Sequence, residues 1–419
     1  MPTPDLAALR QRLTLTGGRR PLLGGLAALP LTGAGALLPL PDDDAAAKRK
    51  GANAEKKKKK KKLTLCLNGQ TISASKKKAK KLRKQGATSG KCRATTTTPA
   101  PCLPSDVRFR VNTGSEGSAL GQLDSPLGVT LSRDTRTLWV ADSTNNRISI
   151  WTRPNAASTV WSNPASFGTS GTGDAELQNP VDVAISRDEL TAWVVDSNNN
   201  RISVWTRADT ATTTWSHASN FGTPGNGNGQ LNSPSGVSIA PDTLTLWVTD
   251  TLNSRVTVWT RPNTGATFTQ ATEFGNGVVS IALGIITSAD TLTAWVADPF
   301  NQRITIWTRP DTSSLVWTNV KNFGNVGSGL ELLGFAARLA MDASEKVLWL
   351  NDQTSDRVTV WTRPNTSSLT WTPLAAIGGK GSGPGQFDTP IGLAISRDGA
   401  TLMVADTNNN RLSMWTRTC

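Results

Sequence analysis

From Asp106 onward, apolar and polar residues alternate in short runs, and the runs recur in a fixed order. Each unit holds an apolar run such as LGVTLS, a short turn, then TLWVAD, a polar turn, RISIWTR, a second turn, and a final run such as LVWTNVKNFG. Two-residue alternation in six-residue runs bounded by turn residues predicts four short strands per unit. The second strands start at Thr137, Thr191, Thr245, Thr293, Val347 and Thr401, so the spacings are 54, 54, 48, 54 and 54 residues. No stretch of this region shows a helical period. Six four-stranded units predict an all-β fold, a six-bladed β-propeller over 106–419.

The last unit stops after its third strand, WTRTC. The run VRFRV, Val107 to Val111, aligns with the fourth-strand position of the other units. It is therefore expected to complete the sixth blade and close the ring.

Within each unit an Asp and an Arg flank a four-residue turn, which sets them opposite each other on neighbouring strands. The pairs are Asp142 with Arg147, Asp196 with Arg201, Asp250 with Arg255, Asp298 with Arg303, Asp352 with Arg357, and Asp406 with Arg411. They are expected to fix blade register, each contributing about 0–1 kcal/mol if exposed. The turn asparagines are expected to bond their own backbone. Trp139, Trp193, Trp247, Trp295 and Trp349 fall on second strands, where the sixth unit has Met403. Trp151, Trp205, Trp259, Trp307, Trp361 and Trp415 fall on third strands. Wide flat side chains at these places predict packing between blades, with carbohydrate stacking as the other use.

The repeated line resembles the NHL repeat. The matching features are Gly-x-x-x-x-Pro-x-Gly in GQLDSPLGV (Gly121–Val129) and GQFDTPIGL (Gly385–Leu393), followed by VAD-x-x-Asn-Asn-Arg. The resemblance covers about 106–417. It departs locally, with Ala282 and Ala336 in place of the proline and NDQTSDR in the fifth unit. It implies a six-bladed propeller and brings no ligand site with it.

Ahead of the repeats the pattern changes. Over 63–92, LTLCL, Asn68-Gly69 and QTISA predict a hairpin with a two-residue turn. Ser75 is placed to cap a helix through KKKAKKLRKQ that stops at Gly86. Ala79 and Leu82 share one face of that helix. Cys66 and Cys92 bracket the unit, and thirty residues bury too little apolar surface to do without a staple. The spacing resembles a small cysteine-bracketed module of bacterial surface proteins. A Thr/Pro linker, 93–105, follows. In repeat register Cys419 falls at the position of Asn155 and Cys102 at that of Ala156. The expected disulfides are Cys66–Cys92 and Cys102–Cys419, the alternative being Cys66 or Cys92 bonded to one of the outer pair. Closing a loop of over 300 residues stabilises by roughly 5 kcal/mol in the chain-entropy model.

Charge sharpens this division. The net charge of +14 is unevenly spread: 1–47 is neutral, 48–93 carries +18, and 94–419 carries −4. A mildly acidic propeller weighs against nucleic acid as its ligand. The segment 48–62, with seven consecutive lysines, predicts a solvated, disordered stretch. Without interleaved aromatics it suits an envelope polyanion better than bases. Segment 1–47 reads as an export signal. Arg19-Arg20 precede an apolar Gly/Ala-rich run and Ala45–Ala47, which resembles a twin-arginine signal, although Gly18 and Pro21 depart from that pattern. Prolines interrupt the run, which argues against a membrane anchor. Two disulfides also suit a secreted or cell-surface location reached by bacterial-type export.

Candidate chemistry is sparse. The first strands, which line the channel, carry only Asp182, Arg338 and Asp342 as charged residues. That set suggests no metal cage, and the single histidine, His217, sits beside Trp215 on an outer strand and is expected to be exposed. The sequence is expected to encode no enzyme, no metal site and no cofactor. It predicts a binding or scaffold protein whose propeller takes a protein, peptide or glycan. A lyase or hydrolase working in the channel and a purely structural envelope protein are the alternatives. The connector into the fourth unit, GNGVVSIALG, is six residues shorter than its counterparts. It is expected to leave a notch beside Asp298, Phe300 and Arg303, the candidate ligand contacts.

Overall fold

The computed structural model describes residues 63–67, 70–85, 88–89, 106–324, 329–331 and 333–417. Cys92, Cys102, Cys419 and the side chain of Cys66 lie outside the described residues, as do the segments 1–47 and 48–62. The chain divides into two compact units, 1–101 and 102–419.

In the first unit, Leu63–Leu67 and Gln70–Ala74 pair as an antiparallel hairpin. The helix Lys76–Lys84 follows, with the Ser75 side chain accepting from the Lys78 N–H. Ala79 is buried and Leu82 packs beside it against Leu65 and Ala74. The two-residue strand Thr88–Ser89, which sequence periodicity is too short to reveal, pairs with Leu65 and Cys66. Lys76, Lys77, Lys78, Lys80, Lys81, Arg83 and Lys84 are all exposed.

The second unit is a β-propeller of six four-stranded blades. Blade one comprises Pro126–Leu131, Thr137–Asp142, Arg147–Thr152 and Ser162–Phe167. Blades two to five repeat this order, and every contact within a blade is antiparallel. The sixth blade is built from Pro390–Ile395, Thr401–Asp406, Arg411–Arg417 and, as its fourth strand, Val107–Thr113. Arg417 pairs with Val107 and Leu412 with Thr113, so the two ends of the repeat region share one sheet. First strands shorten to Ile285–Thr287 and Leu339–Met341 in blades four and five, where Ala282 and Ala336 replace the proline.

The core lies between blades. All fifteen tryptophans are buried, and the five on second strands are fully so. Met403 takes that place in blade six. Each fully buried large side chain contributes about 1.5–3 kcal/mol. Four tryptophans at fourth-strand starts, Trp161, Trp215, Trp317 and Trp371, join these clusters. With every indole inside, none forms a stacking surface for sugars. In the first five blades the arginine of the WTR tail sits against aromatic rings of these clusters. Arg207 lies over Trp139 and Trp215, and Arg363 over Trp295 and Trp371. The Nε of each donates to a carbonyl eighteen residues back, as from Arg207 to Glu189 and from Arg309 to Thr291. Burial lowers the pKa of these guanidinium groups, including those of Arg153, Arg261 and Arg309.

Candidate functional site

The Asp–Arg turns line one face of the ring. Each Arg Nε meets its Asp Oδ2 at 2.7–3.0 Å, and all six Asp side chains are 0% exposed. The pairs are thus the partly buried kind, for which sequence reading expects more than the exposed-pair value, and removing one partner would strand a buried charge. Asp196 illustrates the arrangement: it accepts from Arg201 Nε, Asn199 Nδ2 and the Gln178 N–H. The turn itself is a single turn of 3-10 helix, as at Ser197–Asn199. Burial pushes the carboxyls of Asp142, Asp196, Asp250 and Asp406 above the usual range, against the pull of those donors.

The asparagines do more than serve their own backbone. Asn146, Asn200 and Asn410 hold positive φ just before the arginine. Their Oδ1 atoms accept from Asn179, Ser233 and Ser125 N–H, in the connector to the following blade. They clasp neighbouring blades in addition to the local role read from sequence, which Asn146 and Asn200 also fill by donating to the Thr144 and Asn198 carbonyls of their own turns.

Blade four differs. In other blades the connector wraps the guanidinium: Arg201 donates to the Thr172, Gly173 and Glu176 carbonyls. The connector into blade four, 275–284, lacks the paired arm that holds those carbonyls. Arg303 donates to the Val278 carbonyl and, once the Asn322 amide is oriented to suit its neighbours, to Asn322. Its side chain is 26% exposed, against 6–14% for the other five. Phe300, in the turn Pro299–Asn301, is 37% exposed. Its ring meets Phe335 edge-on at 5.8 Å. Asp298 lies beneath, fully buried and held by Arg303, Asn301 and the Ser280 N–H. Of the three residues expected beside the short connector, Phe300 is exposed, Arg303 is half-buried and Asp298 is buried.

The channel holds a feature that sequence reading left unconnected. Blades one, three, four and six carry Gly128, Gly236, Gly284 and Gly392 at equivalent first-strand positions. A Cβ there would strike the neighbouring first strand, at 2.4 Å from the Leu283 carbonyl for Gly236 and 2.5 Å from that of Ala337 for Gly284. Blades two and five, opposite each other in the ring, carry Asp182 and Arg338 instead. These side chains meet inside the channel, Arg338 Nε lying 3.8 Å from Asp182 Oδ2. Arg338 donates to the carbonyls of Val181, Ser235, Leu283 and Ala337, tying four blades together. Burial raises the Asp182 carboxyl pKa and lowers that of Arg338, each opposed by the partner's charge. Asp342 stands apart, accepting from Ser344 in its own hairpin. His217 is half-buried rather than exposed: it bonds Asn220 and meets Trp205 edge-on. Among the described residues no three His, Cys, Asp or Glu side chains gather where they could share a metal ion.

No family model and no curated protein matches the chain. Among solved structures it is similar to a candidate 6-phosphogluconolactonase from Bacteroides fragilis, at 12% identity and a TM-score of 0.51. That match covers 73% of this chain and 90% of the other. A candidate 6-phosphogluconolactonase from Bacteroides uniformis matches at 13% identity and a TM-score of 0.49, covering 73% and 83%. A functionally unknown protein from Desulfotomaculum acetoxidans matches at 14% and 0.49, covering 70% and 82%. The first of these likenesses, at a TM-score of 0.51, shows the fold alone. The chain is a six-bladed β-propeller protein.

Proposed function

We propose that the propeller is a binding module of the NHL-repeat type, with its contact site at the blade-four notch. One observation carries this reading. Where a single connector is short, the Arg303 side chain is more exposed, at 26%, than its counterparts in the other five blades, at 6–14%, and Phe300 in the adjoining turn is exposed. An arginine beside an aromatic ring suits a protein or peptide carrying a carboxylate next to an apolar side chain. The glycan alternative loses its main support, since no indole is exposed. Channel catalysis is the second reading. Against it, Asp182 and Arg338 are both engaged in bridging blades.

The test is site-specific photocrosslinking in cells, with a photoreactive residue at Phe300 or at the equivalent Asn198 of blade two. A discrete product from position 300 alone, lost on Arg303→Ala, supports the notch. Equal products from both positions, or none from either, reject it.

The chain is exported on this account, with the lysine segment 48–62 and the basic helix Lys76–Lys84 resting on anionic envelope polymers. Six exposed lysines on one short helix support this. Disulfides Cys66–Cys92 and Cys102–Cys419 belong to the same reading. The second bond is favoured by repeat register, which sets Cys419 and Cys102 at consecutive positions, and Arg417 pairs with Val107 in the sixth blade. Non-reducing peptide mapping of an external fraction should yield a Cys102–Cys419 peptide and an N-terminus near Lys48. Free thiols with Met1 retained in a cytosolic fraction would exclude export.

A further inference from the structure

Three Asn-Gly steps lie in the connectors between blades: Asn226-Gly227, Asn228-Gly229 and Asn276-Gly277. Another, Asn68-Gly69, lies outside the described residues. An asparagine before glycine can close on itself. The glycine nitrogen attacks the side-chain carbon, unhindered because glycine carries no Cβ. That nitrogen must swing out of place for the ring to form, so an N–H tied to a fixed acceptor resists the step.

The structure separates the three steps. Gly227 N–H donates to Gln230 Oε1 at 2.8 Å, and Gly229 N–H to Gln270 Oε1 at 2.7 Å. Gly277 N–H meets no acceptor among the described residues. The turn around it is closed by its neighbours: Val278 and Val279 N–H both donate to the Gly275 carbonyl, at 2.9 and 3.0 Å. Asn276 and Gly277 stand exposed at its tip.

Asn276 also ties the short connector down. Its Nδ2 donates to Glu273 Oε1 at 2.8 Å, on the fourth strand of blade three, Thr269–Phe274. Glu273 Oε2 is engaged by Arg255 and Gln270. A carboxylate at position 276 would turn the contact with Glu273 from attraction to like-charge repulsion. Two residues on, the Val278 carbonyl accepts from Arg303.

We propose that Asn276-Gly277 is a self-modification site whose conversion releases the short connector from blade three. The Gly277 nitrogen bonds to Asn276 Cγ, the Cγ–Nδ2 bond breaks, and ammonia leaves with the glycine proton. Water then opens the five-membered imide at either carbonyl, giving aspartate or its β-linked isomer. Either product sets a carboxylate beside Glu273. The step needs no ligand, so it stands or falls apart from the proposed function.

The test is peptide mapping by mass spectrometry of the full chain, incubated folded and in urea at mildly alkaline pH. In the folded protein Asn276 should convert about tenfold faster than Asn226 or Asn228, the factor that one retained hydrogen bond is worth. In urea, where each asparagine precedes an unconstrained glycine, the three rates should converge. Asn276→Asp makes the aspartate product directly. It should speed amide exchange at Val278 and Val279 about tenfold, as read by NMR. Equal folded rates at the three sites, faster conversion at Asn226 or Asn228, or a difference that persists in urea would overturn the site. Unchanged exchange in Asn276→Asp would overturn the release.

Discussion

At position 302 a glutamine holds a φ of 49°, where blades one, two and six have asparagine. That left-handed conformation costs a glutamine more than an asparagine, whose short amide tolerates it. Gln302→Asn should raise stability by about 0.5–1 kcal/mol, read as a higher urea midpoint with an unchanged slope. Arg338→Gly should do the reverse, destabilising by about 3–5 kcal/mol because it strands a buried carboxylate. The double Asp182→Gly/Arg338→Gly variant should cost less than that single change, and a double-mutant cycle measures the difference. The titration of Asp182 has a definite sign. Burial, opposed by Arg338, raises its folded carboxyl above the unfolded value of 3.8. The folded state therefore takes up this proton more readily than the unfolded chain. At this residue, lowering the pH through the interval between the two values favours folding, and raising it does the opposite. Wild-type stability relative to Asp182→Asn should thus grow as the pH falls. Removing Arg338 should push the carboxyl higher still, which carboxyl NMR reads directly. The two charged residues are legible in sequence as the only breaks in a glycine column. Their partnership is not, because it requires knowing that blades two and five face each other.

Among the elements, the hairpin between second and third strands gains most from its surroundings. Its strands and register follow from alternation and from the flanking Asp and Arg, and six copies make the reading secure. Its energetics do not follow, because the connector that buries the carboxylate comes from some twenty residues upstream, as Gln178 does for Asp196. Asp196→Ala leaves Arg201, Asn199 and an amide without their acceptor. It should cost about 3 kcal/mol or more, far above the exposed-pair value, when measured by urea unfolding. The 3-10 turns and the Thr88–Ser89 strand were beyond sequence reading for a simpler reason. Two or three residues carry no periodicity. The short connector was legible as a six-residue deletion, and Phe300 and Arg303 lie in the hairpin of the blade it enters. The inward place of Asp298 was equally implied by its five counterparts, since the same position is buried in every blade.

For the whole molecule, closure by Val107–Thr113 sets the topology. This strand lays Phe109 edge-on to Trp415 at 5.6 Å and supplies the fourth-strand hydrogen bonds of blade six. A chain beginning at Gly114 should lose about 5 kcal/mol and melt less cooperatively, as calorimetry would show. A closed ring of nearly equal blades makes its departures informative: one short connector on one face and one charged pair in the channel. On the proposed function, the short connector makes the binding site. Replacing 275–284 with the full-length connector that enters blade three, and comparing photocrosslinking from position 300, tests this at its root. The product should fall to the level of the blade-two control while the melting temperature holds. A product of undiminished yield from the grafted, folded protein would contradict it.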